Sequence, residues 1–205
     1  MTGVQTCALP IYADEYIPLE DKTFVIVNHQ DSGYDFQIMD IIGMPAKADR
    51  LKMNFVLEDI GKGGYQHYML KEICEQPSVI RKLLGRYFLN GDVTVDQDLV
   101  FRIRSADRIY IIAAGTSYHA GFVGKYYFEH IAKIPTEVFI ASEFAYNEPL
   151  IATGNPLFIF ISQSGETADL RACLVKIKER RFPSLTITNV PTSTLAREAD
   201  RHIEI

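Results

Sequence analysis

Leu157-Phe158-Ile159-Phe160-Ile161, followed at once by Ser162-Gln163-Ser164-Gly165-Glu166-Thr167, is the stretch that decides how this chain folds. The first part is an unbroken apolar run, bulky and partly β-branched, which is the pattern of a strand buried on both faces of a parallel sheet. The second part switches to hydroxyls, an amide, a glycine and an acid, and a helical pattern begins at Ala168. A strand that ends in a Ser-rich turn and opens a helix gathers unpaired backbone N–H groups at the positive end of a helix dipole. Such a place suits an anion, phosphate above all. The turn holds no Lys or Arg. A phosphate would therefore be gripped by the hydroxyls of Ser162, Ser164 and Thr167, by the Gln163 amide and by main-chain N–H groups, with Gly165 allowing close approach. Glu166 suits the dipole of the first helical turn but would repel a dianion unless it points away. The same residues also read as an N-cap serine and a tight turn with no ligand.

A second segment repeats the design. The apolar run 109–114 enters Gly115-Thr116-Ser117 and a helix follows. Right-handed crossovers bring the C-terminal ends of parallel strands to one edge of a sheet, and ligands bind at that edge where strand order reverses. Two hydroxyl-rich turns on one edge define one pocket. Ala120, Gly121 and Gly124 permit close packing of the following helix on the sheet. Strands are expected at 109–114, 137–141, 157–161, 185–189 and 202–205, with helices at 117–132, 168–180 and 194–199. This alternation indicates an α/β fold, a doubly wound parallel sheet.

Upstream the reading is less regular. Residues 1–11 fit nothing that follows and read as a non-native leader. A β region covers 12–42, with strands at 23–27 and 34–39 and turn residues at 29–33. Glycines and Pro45 punctuate 43–64, a linker that marks the domain boundary. Residues 65–205 form the main domain. It opens with two helices expected to meet at Pro77, the second closed by Gly85 as a C-cap, before a turn at Asn90-Gly91. The sequence stops inside a strand, and a piece of a longer molecule is expected.

The composition narrows the function. The 205 residues are 47% hydrophobic and carry a formal charge of -5. That is enough apolar matter for a core, and it speaks against a general nucleic-acid surface, so any phosphate site is local. Cys7, Cys74 and Cys173 lack metal or redox spacing and read as reduced thiols, with Cys74 and Cys173 on core-facing helix sides. No apolar run approaches the roughly 20 residues of a membrane helix, and the first residues lack the basic n-region and signal-length apolar run of a secretory signal. The expectation is a cytoplasmic protein with no membrane partner. There is no Gly-x-Gly-x-x-Gly after the first strand of the main domain to support a nucleotide-binding Rossmann fold.

The motifs taken together are more specific. Ala114-Gly115-Thr116-Ser117-Tyr118, Ala141-Ser142-Glu143-Phe144, the run from Ser162 to Asp169, and Asn189-Val190-Pro191 with Arg197-Glu198-Ala199-Asp200 resemble the sugar isomerase (SIS) domain of the isomerising glutamine–fructose-6-phosphate aminotransferase family. Lys62-Gly63-Gly64-Tyr65-Gln66-His67 and Glu75-Gln76-Pro77 resemble the segment that enters that domain. The resemblance runs from 54 to 205, with a weaker echo of the family's glutaminase domain at 16–39. It implies a flavodoxin-like strand order. It also implies that Thr116, Ser117, Ser162, Gln163, Ser164 and Thr167 hold fructose 6-phosphate, the second turn and Ser117 taking the phosphate. The family moves ammonia from glutamine to the C2 carbonyl of the sugar and isomerises the imine to glucosamine 6-phosphate, with no redox cofactor, as a homodimer. Its N-terminal cysteine nucleophile has no counterpart here, Cys7 being no substitute. Its acid/base glutamate and lysines belong to a second SIS repeat and a tail beyond Ile205, so no catalytic residue is expected on this chain. Ala114 stands where the family often has cysteine. A simple aldose–ketose isomerase and a non-catalytic sugar-phosphate sensor remain as alternatives.

Other residues are given structural roles. Glu143 reads as a helix-start or salt-bridge residue, and His67, His119 and His202 as structural. Tyr126, Tyr127 and Phe128 read as packing, and 176–181 as a solvated helix end.

Overall fold

The computed structural model describes residues 15–17, 19, 23–30, 33–46, 50–52, 62–151 and 154–205. The expected leader at 1–11 and much of the linker at 43–64 lie outside them. The chain divides into two units, 1–76 and 77–205. In the first, β1 (Glu15–Tyr16) pairs antiparallel with β4 (Leu51–Lys52). A hairpin joins β2 (Thr23–Gln30) to β3 (Gly33–Asp40). Both hairpin strands outrun the sequence expectation, because His29 and Gln30 stay in the ladder opposite Tyr34 and Gly33 rather than turning. Past the hairpin, the Asp40 carboxylate accepts the N–H groups of Ile42 and Met44 and fixes a turn.

Helix α1 (Tyr68–Tyr87) corrects two expectations. It runs through Pro77 as one helix, and Gly85 lies inside it rather than capping it. A proline within a helix removes one N–H and presses on the carbonyl four residues back. Here that carbonyl belongs to Ile73, whose side chain is exposed, as is Pro77, so solvent can satisfy what the ring leaves unpaired. Cys74 is exposed on the same helix, which corrects its placement in the core. After α1, β5 (Phe88–Leu89) and β6 (Asp92–Val93) form a small hairpin. Asn90 and Gly91 both have positive φ (54° and 88°), the two-residue turn their sequence announces. Helix α2 (Gln97–Ser105), with Asp96 accepting the Asp98 N–H at its start, has no counterpart in the sequence reading.

The remaining elements alternate as expected, except that Ala141 ends the expected strand early and opens a short helix that the sequence reading lacks. They are β7 (Arg108–Ala113), α3 (Gly115–Tyr127) running into a π-turn at Phe128–Ala132, β8 (Thr136–Ile140), α4 (Ala141–Tyr146), β9 (Pro156–Ile161), α5 (Ala168–Glu179), β10 (Ser184–Thr188), α6 (Thr194–Glu198) and β11 (Arg201–Glu204). The strands β7 to β11 form one parallel sheet in the order β8-β7-β9-β10-β11, which is the flavodoxin-like order. On one face Tyr110, Ile112, Phe158 and Phe160 pack against Phe144 of α4, Leu170, Leu174 and Ile177 of α5, and Leu195 of α6. On the other, Ile109, Ile111, Leu157 and Ile159 meet Leu99 of α2 and Phe128 after α3. Gly121 lets α3 settle on the sheet, since a Cβ there would stand 2.9 Å from Val138 Cγ1 and 3.1 Å from Ile111 Cγ2.

Cys173 is fully buried in α5, where its thiol donates to the Ala141 carbonyl at 3.4 Å. Burial pushes its pKa up to about 12. In a Cys7→Ser background, a thiol reagent at pH 8 is expected to modify Cys74 quickly and Cys173 only after unfolding. Because the folded thiol holds its proton more tightly than the unfolded one, the stability it contributes is complete below the ordinary thiol pKa. That stability is lost as pH rises toward 12. Rapid native labelling of Cys173 would contradict the packing of α5.

The edge strand β11 is pinned from outside the sheet. Arg86 pairs with Glu204 at 2.6 Å and Tyr87 Oη donates to the Glu204 carbonyl at 2.6 Å. The guanidinium beside it holds the Glu204 carboxyl below the usual range. At the other end of β11, Arg201 reaches Asp98 at 2.9 Å.

Candidate functional site

Strand order reverses between β7 and β9. β8 lies beyond β7 on one side, while β10 and β11 lie beyond β9 on the other. Ala113 stands opposite Ile161, so the turns that follow, at Ala114–Ser117 and Ser162–Thr167, leave the sheet at one level on the two sides of the reversal. This is the crevice where an open parallel sheet receives a ligand. The structure thus brings the two sequence-predicted turns together.

In the first turn, Gly115 takes a φ of +56°, where a side chain would be strained. Ala114 occupies the N-cap of α3 and has no side-chain acceptor to offer. Thr116 is exposed and Ser117 half-buried. In the second, Ser162 is buried, and its Oγ accepts the Gly165 N–H at 3.1 Å and lies 3.1 Å from Thr167 Oγ1. These two hydroxyls brace the base of the turn. Ser164 is exposed; its Oγ accepts the Glu166 N–H at 3.2 Å, which leaves the hydroxyl proton to be donated elsewhere. Gln163 exposes its side chain. Thr167 is the N-cap of α5 but makes no side-chain capping bond. The helices on both sides of the crevice therefore begin with first-turn N–H groups that no N-cap side chain has claimed.

A third segment, the loop from β10 to α6, supports the second turn. The Gln163 carbonyl accepts the Asn189 N–H and the Thr188 hydroxyl, each at 3.1 Å. The Gly165 carbonyl accepts the Leu195 N–H at 3.0 Å. Glu166 Oε1 accepts the Thr194 N–H at 2.8 Å, so the acid in the turn is committed to the start of α6. Gly165, at φ +67°, lies so close to Ser193 that a Cβ would stand 2.0 Å from its Oγ. Thr188 and Ser193 were missed by the sequence reading. A serine directly before Thr194-Leu195-Ala196 fits an N-cap, but nothing local tells where it packs.

The other candidates stay outside this crevice. Glu143 is exposed in the first turn of α4, and His67, His119 and His202 are exposed. Tyr126 and Tyr127 are more than half exposed, which corrects their reading as packing residues, whereas Phe128 joins the core. The basic run is a solvated helix end, exposed at 178–181, and its cations still find partners. Lys176 donates to the Ala145 carbonyl, Lys178 to the Glu198 carbonyl, and Arg180 pairs with Glu148. Among the described residues no three His, Cys, Asp or Glu side chains converge on a metal site, and no helix is long and apolar enough to cross a membrane.

The SIS domain family matches residues 102–205, the whole of the sheet and its crevice. The chain belongs to the SIS domain family. Around this SIS domain the likeness extends further. The isomerising glutamine–fructose-6-phosphate aminotransferase of Oceanobacillus iheyensis is 52% identical over 188 residues, 91% of this chain. The chain spans 30% of that relative's length. Among solved structures, the C-terminal domain of glucosamine-fructose-6-phosphate aminotransferase from Francisella tularensis is similar with a TM-score of 0.65 and 42% identity, over 70% of this chain and 41% of that one. Glucosamine-6-phosphate deaminase from Thermotoga maritima is similar with a TM-score of 0.55 and 27% identity, over 66% of this chain and 39% of that one.

Proposed function

We propose that this chain is the sugar-phosphate-binding portion of an isomerising glutamine–fructose-6-phosphate aminotransferase, and that its crevice takes fructose 6-phosphate. The observation that carries the reading is the pairing of two hydroxyl-rich turns across the strand-order reversal, each opening a helix with uncapped N–H groups. Phosphate is met by neutral donors. Ser164 and the Gln163 amide reach it from the second turn and Ser117 from the first, while Thr116 lies beside the sugar. Ser162 and Thr167 hold the turn in shape from beneath. The helix dipoles of α3 and α5 supply the positive potential that a lysine or arginine would otherwise provide.

In this reading 12–42 is the end of a glutaminase domain, 43–64 the linker and 65–205 the greater part of a first SIS domain. The catalytic groups of both half-reactions lie on other parts of the longer enzyme, a cytoplasmic homodimer. The aminotransferase relatives support these parts through their similarity to the chain across both units.

Calorimetric titration of the chain with fructose 6-phosphate, fructose and inorganic phosphate tests the proposal. Fructose 6-phosphate should bind and fructose should not. A hydrogen bond to a charged group contributes about 1.5–3 kcal/mol, so Ser164→Ala should weaken binding about tenfold or more with the melting temperature unchanged. Equal binding of fructose and its phosphate, or unaltered binding in Ser164→Ala, would overturn it.

A further inference from the structure

Four helices start on the sheet edge that carries the crevice, and only one of them has its first turn fully claimed. At α6 the Thr194 N–H goes to Glu166 Oε1 at 2.8 Å, the Leu195 N–H to the Gly165 carbonyl at 3.0 Å and the Ala196 N–H to Ser193 Oγ at 3.4 Å. The helices α3, α4 and α5 have no side-chain capping bond at their N-caps, and α3 and α5 flank the strand reversal. An anion is thus steered away from α6, and two of the three groups that close α6 come from the 162–167 turn itself.

We infer that Glu166 is a positioning residue, a latch that turns a negative charge out of the crevice and uses it to clamp the 162–167 turn against α6. The inference rests on the sugar-phosphate reading of the crevice. The latch works together with its neighbours. The carbonyls of Gln163 and Gly165 are drawn toward the β10–α6 loop by Thr188, Asn189 and Leu195. A peptide unit whose carbonyl is fixed on one side presents its N–H on the other. The bonds to the Gln163 carbonyl therefore aim the Ser164 N–H away from the loop, while the Glu166 N–H, on the far side of the Gly165 carbonyl, is taken by Ser164 Oγ and orients that hydroxyl. Without the Glu166 tether the turn loses its only side-chain bond to α6 among the described residues. The freed carboxylate would also stand beside Ser164 as a competing anion.

The test separates charge from tether. Glu166→Gln keeps an acceptor oxygen for the Thr194 N–H, whereas Glu166→Ala removes it. In the ligand-free chain, hydrogen exchange at the Thr194 amide should be slow in the unmodified protein and in Glu166→Gln. It should be at least tenfold faster in Glu166→Ala. With fructose 6-phosphate as probe, affinity should fall about tenfold in Glu166→Ala and be rescued to within about threefold in Glu166→Gln. Unchanged Thr194 exchange in Glu166→Ala would overturn the latch. So would alanine binding as tightly as glutamate, or glutamine binding as poorly as alanine. A failure of the unmodified chain to bind fructose 6-phosphate would overturn the functional reading instead, and the exchange result would then decide by itself whether the clamp exists.

Discussion

Gly165→Ala is expected to destabilise the chain by about 3 kcal/mol, a lower urea midpoint with an unchanged slope. The backbone at Gly165 has a φ of +67°, which costs an L-residue about 1–2 kcal/mol. The new methyl would stand 2.4 Å from Ser193 Cβ and 3.0 Å from Thr188 Oγ1, besides its collision with Ser193 Oγ. Neither neighbour can move aside easily. Ser193 and Thr188 are buried, the first caps α6, and the second holds the Gln163 carbonyl. Overpacking of this kind adds about 1–3 kcal/mol. Ser193→Gly removes the atoms in collision and costs only a few tenths itself, because glycine is tolerated at an N-cap. In that background Gly165→Ala should cost the backbone strain and the tight contact with Thr188 Oγ1 alone, a coupling of about 1–3 kcal/mol between positions 165 and 193. Equal costs in both backgrounds would mean that the turn does not press on α6.

Phe158→Ala is expected to lose about 3–5 kcal/mol, the range for removing a fully buried aromatic ring. Its ring is inaccessible to solvent and stacks on Tyr110 at a centroid distance of 4.9 Å. Phe182 and Phe144 approach it at 5.6 and 6.3 Å. These partners come from β7, α4 and the loop before β10, so the cavity would open between layers that no single neighbour can refill. Phe101→Ala is the control. That side chain is 69% exposed on α2, and its loss should change stability by no more than about 0.5 kcal/mol. Comparable losses at the two positions, read from urea denaturation, would refute the assignment of the central strand.

The sheet was legible because its strands advertise themselves. Ile109–Ala113 and Leu157–Ile161 are apolar without interruption, and only a strand covered on both faces has use for that. The two turns were legible because hydroxyl and glycine residues follow those runs at once. What stayed hidden was set by distant parts of the chain. Helix α2 carries Val100, Phe101, Arg102, Ile103 and Arg104, an order that reads neither as a clean helix nor as a clean strand. Its helical start is declared only by Asp96. Cys74 lies on an apolar side of α1 that remains exposed among the described residues, so periodicity placed it in a core that is not there. Glu166 is an awkward acid in an anion-binding turn, yet its direction depends on Thr194, a residue 28 positions away whose approach no local pattern encodes.

The bond from Tyr87 Oη to the Glu204 carbonyl spans 117 positions. Closing a loop of that length costs about 4 kcal/mol of chain entropy, more than one hydrogen bond returns, so the contact can form only on a sheet already assembled beneath it. A ribosome releasing this polypeptide from its N-terminus must therefore deliver residue 204 before the final rung of the ladder is secured. Until then the outer side of β10 is a bare row of donors and acceptors, and crowding by neighbouring nascent chains is most dangerous in that interval.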